Sequence, residues 1–257
     1  MTDWKITQTK KVNFSRPILI EGLPGIGNVG KIVADIMVEE LDAKKIMDFF
    51  SYSLPNSVFV NEDNLVELPK IEMYHKKVKG KDFLFLTGDV QPMDEVSSYK
   101  FTEKILDISQ KNKCREIITL GGIGIEEIPE NPKVYCTGND GKFVEEFKNY
   151  KVKTDIYGVV GPIIGVSGLL LGLSKRRNMK AASLLAETYG HPMYIGIKGA
   201  KEIIKVLNKR YEFGISLRSI NSEIRKLNEE SGEGSKSSKK HTTLNQLKHY
   251  KDMSYIG

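Results

Sequence analysis

The chain has 257 residues, 40% hydrophobic and 28% charged, enough apolar material for one large folded domain and too much for general disorder. Its net charge of +6 comes from scattered lysines and arginines with no dense basic stripe, so no nucleic-acid role is expected. Cys114 and Cys136 lie far apart without CxxC spacing, and the start, Met1 to Lys5, lacks the apolar segment of a secretory leader. Both point to reduced thiols in a cytoplasmic protein. The longest apolar run, Val159 to Leu173, is interrupted by glycines, Pro162 and Ser167 and falls short of a membrane span.

Pro17-Ile18-Leu19-Ile20-Glu21 reads as a short buried strand that enters a glycine-rich turn, Gly25-Ile26-Gly27-Asn28-Val29-Gly30. Beyond it, Val29, Ile32, Val33, Ile36, Met37 and Leu41 recur at helical spacing and lay one apolar face along a helix. Lys44 to Tyr52 supplies a second strand around Ile46, Phe49 and Phe50, giving a β-α-β opening. Extended segments follow at Val58-Phe59-Val60 and at Ile71 to Tyr74. The second is one arm of a hairpin that turns at Lys79-Gly80-Lys81 into the strand Phe83 to Leu86. Asp94 or Ser97 is placed to cap a helix carrying Phe101, Ile105 and Ile108. A strand at Glu116 to Leu120 is expected to stop at Gly121-Gly122, and the strand–helix–strand run implies a parallel crossover.

The segment Glu126 to Gly141, rich in Pro, Gly, Asn and acids, holds a small strand at Val134 to Cys136. A helix around Phe143 to Lys148 precedes an expected strand, Ile156 to Val160. Gly161-Pro162 then leads through Gly165-Val166-Ser167-Gly168 into an apolar helix, Leu169 to Leu173. Ala181 to Tyr189 reads as a short helix ending at Gly190-His191-Pro192, and Met193 to Ile197 as the last strand. Helices around Lys201 to Tyr211 and Leu217 to Asn228 close a domain placed at residues 1–228. Leu217, Ile220, Ile224 and Leu227 form a stripe that seals the core edge or meets another subunit. Residues 229–243 read as a flexible polar linker. Residues 244–257 regain Leu244, Leu247, Tyr250, Met253, Tyr255 and Ile256, and read as a docking tail or one that folds back on the domain.

The turn matches G-x-G-x-x-G between a strand and a helix, where close backbone approach and free N–H groups suit a phosphate. Gly25, Gly27, Asn28 and Gly30 are its candidate ligand residues. Against a dinucleotide, Asp48 lies inside a strand rather than at its end, Pro24 stiffens the turn, and no second mononucleotide-binding half follows. A tight strand-to-helix turn is the preferred reading. Lys31 follows Gly30 without the spacing of a Walker A loop. Ser167 sits like a nucleophile elbow, but Gly165 to Leu169 misses G-x-S-x-G, so Ser167 reads as a helix N-cap. His191 and Glu187 complete a triad only if the fold brings them to Ser167. His75, His191, His241 and His249 show no metal-ligand spacing, and neither metal nor cofactor is expected.

Five blocks together resemble the PAC2 family, the proteasome assembly chaperones of archaea and eukaryotes. They are Leu19 to Lys31, Leu86 to Pro92, Thr119 to Gly122, Gly161 to Leu171 and Ala186 to Thr188, within a match over residues 14–228. The resemblance implies a three-layer α/β fold, Rossmann-like and phosphorylase-like, with a mixed, mostly parallel sheet flanked by helices and a flexible C-terminal tail. It also implies a homo-oligomer (trimer, tetramer or hexamer) acting as a chaperone toward 20S proteasome α subunits or a related ring, with no catalytic residues. Such chaperones dock through a C-terminal hydrophobic–tyrosine–any-residue motif. This chain ends Met253-Ser254-Tyr255-Ile256-Gly257, with its tyrosine third from the end rather than second. One residue moves an extended chain by about 3.3–3.6 Å, more than a hydrogen bond tolerates. Tyr255, Ile256 and Gly257 are the candidate contact. The rival expectation is an enzyme or sensor that holds a nucleotide or phosphate at Gly25 to Gly30.

Overall fold

Ile18 to Gly22 are five consecutive buried residues, a pattern that suits a strand covered on both faces. Ile18 and Ile20 join one apolar cluster, and Leu19 between them joins another. That alternation divides the whole core in two.

The computed structural model describes residues 4–225 apart from 62, 159–160 and 219. Its first half runs β1 (Lys5–Gln8), β2 (Ile18–Gly22), α1 (Val29–Glu40), β3 (Lys44–Phe50), β4 (Phe59–Val60), β5 (Val66–Glu67), β6 (Ile71–Val78) and β7 (Lys81–Gly88). The second half runs α2 (Glu95–Lys111), β8 (Glu116–Ile125), β9 (Val134–Gly138), α3 (Gly141–Glu145), α4 (Val166–Arg176), β10 (Ala181–Tyr189) and α5 (Ile197–Tyr211). Short 3-10 turns occupy Ile26–Asn28 and Glu146–Tyr150.

Eight strands form one sheet in the order β1-β3-β6-β7-β2-β8-β10-β9, while β4 and β5 pair separately as a small hairpin. On one face lie α1, α3 and α5, packed on Ile18, Ile20, Phe83, Phe85, Ile118 and Leu184. On the other lie α2 and α4, packed on Leu19, Leu84, Leu86 and Ile117. This is the expected three-layer α/β arrangement. Each aliphatic side chain fully buried here contributes about 1.5–3 kcal/mol. Asp94 caps α2 by accepting the Ser97 N–H at 2.9 Å, so of the two candidates Asp94 is the cap.

The sheet is mixed, but it is not mostly parallel as expected: among the described residues, three central pairings are parallel and four are antiparallel. β7, β2, β8 and β10 are parallel neighbours, whereas β1–β3, β3–β6, β6–β7 and β9–β10 are antiparallel. The tight turn at Lys79-Gly80 leaves no room for a crossover, so β6 must return antiparallel beside β7. β3 consequently lies three places from β2 rather than beside it, and β2 itself separates β7 from β8.

Three further expectations change. Ala181 to Tyr189 is a strand, not a helix: it runs between β8 and β9, buried nearly throughout, and coverage on both faces outweighs the helix preference of its Ala, Leu and Glu residues. β8 does not stop at Gly121-Gly122, because these glycines stay in the ladder opposite Leu185 and Ala186, and the strand continues to Ile125. Neither Ile156 to Gly158 nor Met193 to Ile197 is a strand; the latter is a turn leading into α5. Val159 and Val160 lie outside the described residues. Residues 220–225 are helical, and Leu217, Ile220 and Ile224 pack on the α1–α5 core, so this stripe seals the protein's own core edge. Leu227, Asn228, the 229–243 linker and the 244–257 tail lie outside the described residues.

Candidate functional site

Open α/β sheets place their ligand crevices at the carboxyl ends of parallel strands. The glycine turn leaves β2 at that end. It closes with the Asn28 N–H donating to the Gly25 carbonyl at 2.9 Å, and the Gly196 N–H donates to the Gly27 carbonyl at 2.8 Å. Gly27 and Asn28 adopt left-handed backbone angles, φ 61° and 50°. A β-carbon on Gly27 would stand 2.6 Å from the Thr188 hydroxyl oxygen. One on Gly30 would overlap the backbone carbonyl of Leu120 in β8. Among the four candidate ligand residues, Gly27 and Gly30 are thus set by close packing. Gly25 has open space where its side chain would be.

Beside the turn is a junction that the spacing of the sequence did not reveal. Glu21, at the end of β2, is fully buried. Its carboxylate accepts the Ser167 hydroxyl at 2.9 and 3.1 Å and the Leu23 N–H at 3.1 Å. Burial lifts the Glu21 carboxyl from the ordinary glutamate value of 4.5 to about 7, against the downward pull of these hydrogen bonds. Gln91 bridges the same segments: its Nε2 donates to the Pro24 carbonyl at 2.8 Å, and its Oε1 accepts the Val166 N–H at 3.4 Å. Near the ends of β2 and β7, the buried Lys31 ammonium pairs with Asp35 at 2.9 Å and Asp89 at 3.6 Å, and the Thr87 hydroxyl donates to Asp35 at 2.7 Å.

Ser167 is therefore not the N-cap of α4. Gly165 holds that position, and Ser167 sits one residue inside the helix with its hydroxyl on Glu21. No triad is formed by the three candidate residues. Glu187 accepts the Lys133 N–H and the Tyr135 hydroxyl, each at 2.9 Å. His191 stacks on Tyr189, and its Nδ1 accepts the Met193 N–H at 3.2 Å. Burial pushes the Cys114 and Cys136 thiols up to about 12, far from the thiolate a nucleophile needs. Asp48 pairs with Lys45 on β3 at 3.0 Å. Among the described residues no group of three or more His, Cys, Asp or Glu is arranged to hold a metal ion, and no helix is long and apolar enough to cross a membrane. His241, His249, Tyr255, Ile256 and Gly257 lie outside the described residues.

All five sequence blocks meet at this turn. The first contains the turn and Glu21; the second brings Gln91 and Asp89; the third brings Leu120; the fourth brings Ser167; the fifth brings Thr188. The PAC2 family model matches residues 19–233. The chain belongs to the PAC2 family. Among solved structures, it is similar to Pyrococcus furiosus PbaB, described as an archaeal proteasome activator. That likeness has 32% identity and a TM-score of 0.81, covering 89% of this chain and 97% of PbaB. It is also similar to Pyrococcus furiosus PbaA, described as an archaeal homolog of proteasome-assembly chaperone, with 25% identity and a TM-score of 0.75, covering 88% and 89%. An uncharacterized protein of Methanocaldococcus jannaschii is 28% identical over 216 residues, 82% of each chain.

Two outcomes follow for this PAC2 junction. Gly30→Ala is expected to destabilise the fold by roughly 1–3 kcal/mol through overpacking against Leu120, while Gly25→Ala stays within about 0.5 kcal/mol. Urea denaturation of both variants checks the contrast, and equal midpoints would refute it. For Glu21, the folded chain keeps a proton between pH 4.5 and 7 that the unfolded chain releases, so stability falls as pH rises through that window. Glu21→Gln removes this dependence: wild type and variant should converge below pH 4.5 and separate by up to roughly 3 kcal/mol at pH 8, in the variant's favour. A gap that does not change between pH 4.5 and 8 would show that Glu21 does not titrate there.

Proposed function

We propose that this PAC2 protein is a cytoplasmic, non-enzymatic chaperone or adaptor of the proteasome, which self-associates and presents its C-terminal tail to 20S α subunits. The observation that carries this reading is the likeness to PbaB, because it extends over 97% of a protein described as an archaeal proteasome activator. The likeness to PbaA, described as a homolog of proteasome-assembly chaperone, supports the same partner. The internal pairing at the glycine turn supports a role without catalysis: the Ser167 hydroxyl is held by Glu21, and the space beside Gly27 and Gly30 is filled by protein.

Self-association, whether as a trimer, tetramer or hexamer, draws support from the β4–β5 hairpin, which does not set the number. It stands apart from the main sheet and exposes Val58, Val60, Leu65, Val66 and Leu68, each more than half exposed. A two-stranded hairpin is marginal alone, and a clustered apolar surface of this kind marks an interface. Several tails on one oligomer would raise the effective concentration at a ring of α subunits.

Two measurements test the reading. Full-length protein should co-purify with proteasome α subunits, and deletion of Met253 to Gly257, which contains Tyr255, Ile256 and Gly257, should abolish that capture. Undiminished capture by the truncated chain would remove the tail mechanism, and no capture by the full chain would remove the partner. Leu65→Lys combined with Val66→Lys should lower the molar mass seen by light scattering to that of one chain; an unchanged mass would exclude the hairpin as the interface.

A further inference from the structure

At the β9 edge of the sheet, away from the glycine turn, the fold gathers positive charge. The entry to β9, residues 150–153 and the outer face of α5 enclose a groove of about 410 Å³. Five lysines, Lys133, Lys151, Lys153, Lys205 and Lys209, line it against one acid, Glu202. Glu202 pairs with Lys205 at 2.6 Å, and Lys133 stands 3.9 Å from Glu187. Among the described residues, no carboxylate lies within ion-pair distance of Lys151, Lys153 or Lys209. Residues 202, 205 and 209 recur at helical spacing on α5, so the lysines converge because one face of the helix meets the β9 edge. The buried side chains of Val134 and Val206 form the floor.

Ammonium groups collected in a concavity repel one another, and a bound anion relieves that repulsion. We infer that this groove binds an extended acidic peptide segment, rich in Asp and Glu, of another protein. Two observations select that occupant. The lysine heads are spread on long stems over an apolar floor, which suits carboxylates spaced along a chain with aliphatic stems beneath them. The chain's own residues 229–257 are not complementary, because they carry five lysines against four acids.

The test uses the full-length protein and a fluorescein-labelled decapeptide of alternating Asp and Glu, read by fluorescence anisotropy. Binding should weaken at least about tenfold between 50 and 300 mM NaCl, and a matching Asn/Gln decapeptide should not bind. Lys153→Glu combined with Lys209→Glu should weaken binding by about tenfold or more, with an unchanged thermal midpoint. If that variant loses its fold, Lys153→Gln combined with Lys209→Gln removes the charge without adding acids and decides the matter by the same readout. Unchanged affinity in a folded variant, or equal binding of the neutral peptide, would overturn the proposal. Tighter binding of inorganic polyphosphate or a single-stranded oligonucleotide of equal charge would also overturn it, by assigning the groove to another polyanion. No proteasome component enters the experiment, so its outcome is independent of the tail.

Discussion

The closeness of α1 to the sheet is the constraint on which the rest of this structure depends. Gly30 lies directly on the Leu120 carbonyl, so the helix axis is set by backbone-to-backbone contact rather than by side chains between them. At that distance Val29, Ile32, Val33 and Met37 reach into the layer formed by Ile18, Ile20, Ile118 and Leu120, and α5 closes over them. A β-carbon at Gly30 would lift one end of the helix and open the core beneath it, where even one methylene is felt. The turn ahead of it has little choice: within three residues the chain must pass through two left-handed conformations at Gly27 and Asn28 to start the helix so near the strand.

The polar junction is the complement of this packing. Where the end of β2, the loop after β7 and the start of α4 meet, Glu21 is fully buried and Gln91 and Ser167 are half-buried, and each is held by hydrogen bonds to the others' segments. Burying a carboxyl is unfavourable when it is charged, so the site settles the conflict by favouring the protonated form and by supplying two donors. The Lys31–Asp35–Asp89 set resolves the same difficulty in the opposite manner, by placing charges of both signs together. Stability and specificity are therefore shared between a dry glycine contact and a satisfied polar network at one end of the sheet.

Much of the fold was legible in the sequence, and the exceptions share a cause. β2, α1, the β6–β7 hairpin, α2 and α5 follow from apolar spacing and turn residues, because their burial is one-sided or their boundaries are marked. β10 is not legible as a strand because Ala, Leu and Glu favour a helix in isolation, and only the neighbouring β8 and β9 make it a strand. The role of Ser167 is not legible because its partner lies 146 residues away, a distance that no local motif records. Glu21 did carry a signal, as a charged residue ending a run of buried apolar ones. The lysine groove carried none: its residues come from three separate stretches of chain, and a count along the sequence sees them as scattered.

Five separate stretches of the chain converge on one turn and the strand before it. These residues form an architectural joint, a way of docking a helix on a sheet and pinning a loop beside it. At Gly27 and Gly30 the joint admits no β-carbon without displacing Thr188 or the Leu120 carbonyl, whatever the rest of the chain binds. In this chain the joint is scaffolding, and the protruding hairpin and the outer edge of the sheet are the surfaces it leaves free to meet other molecules.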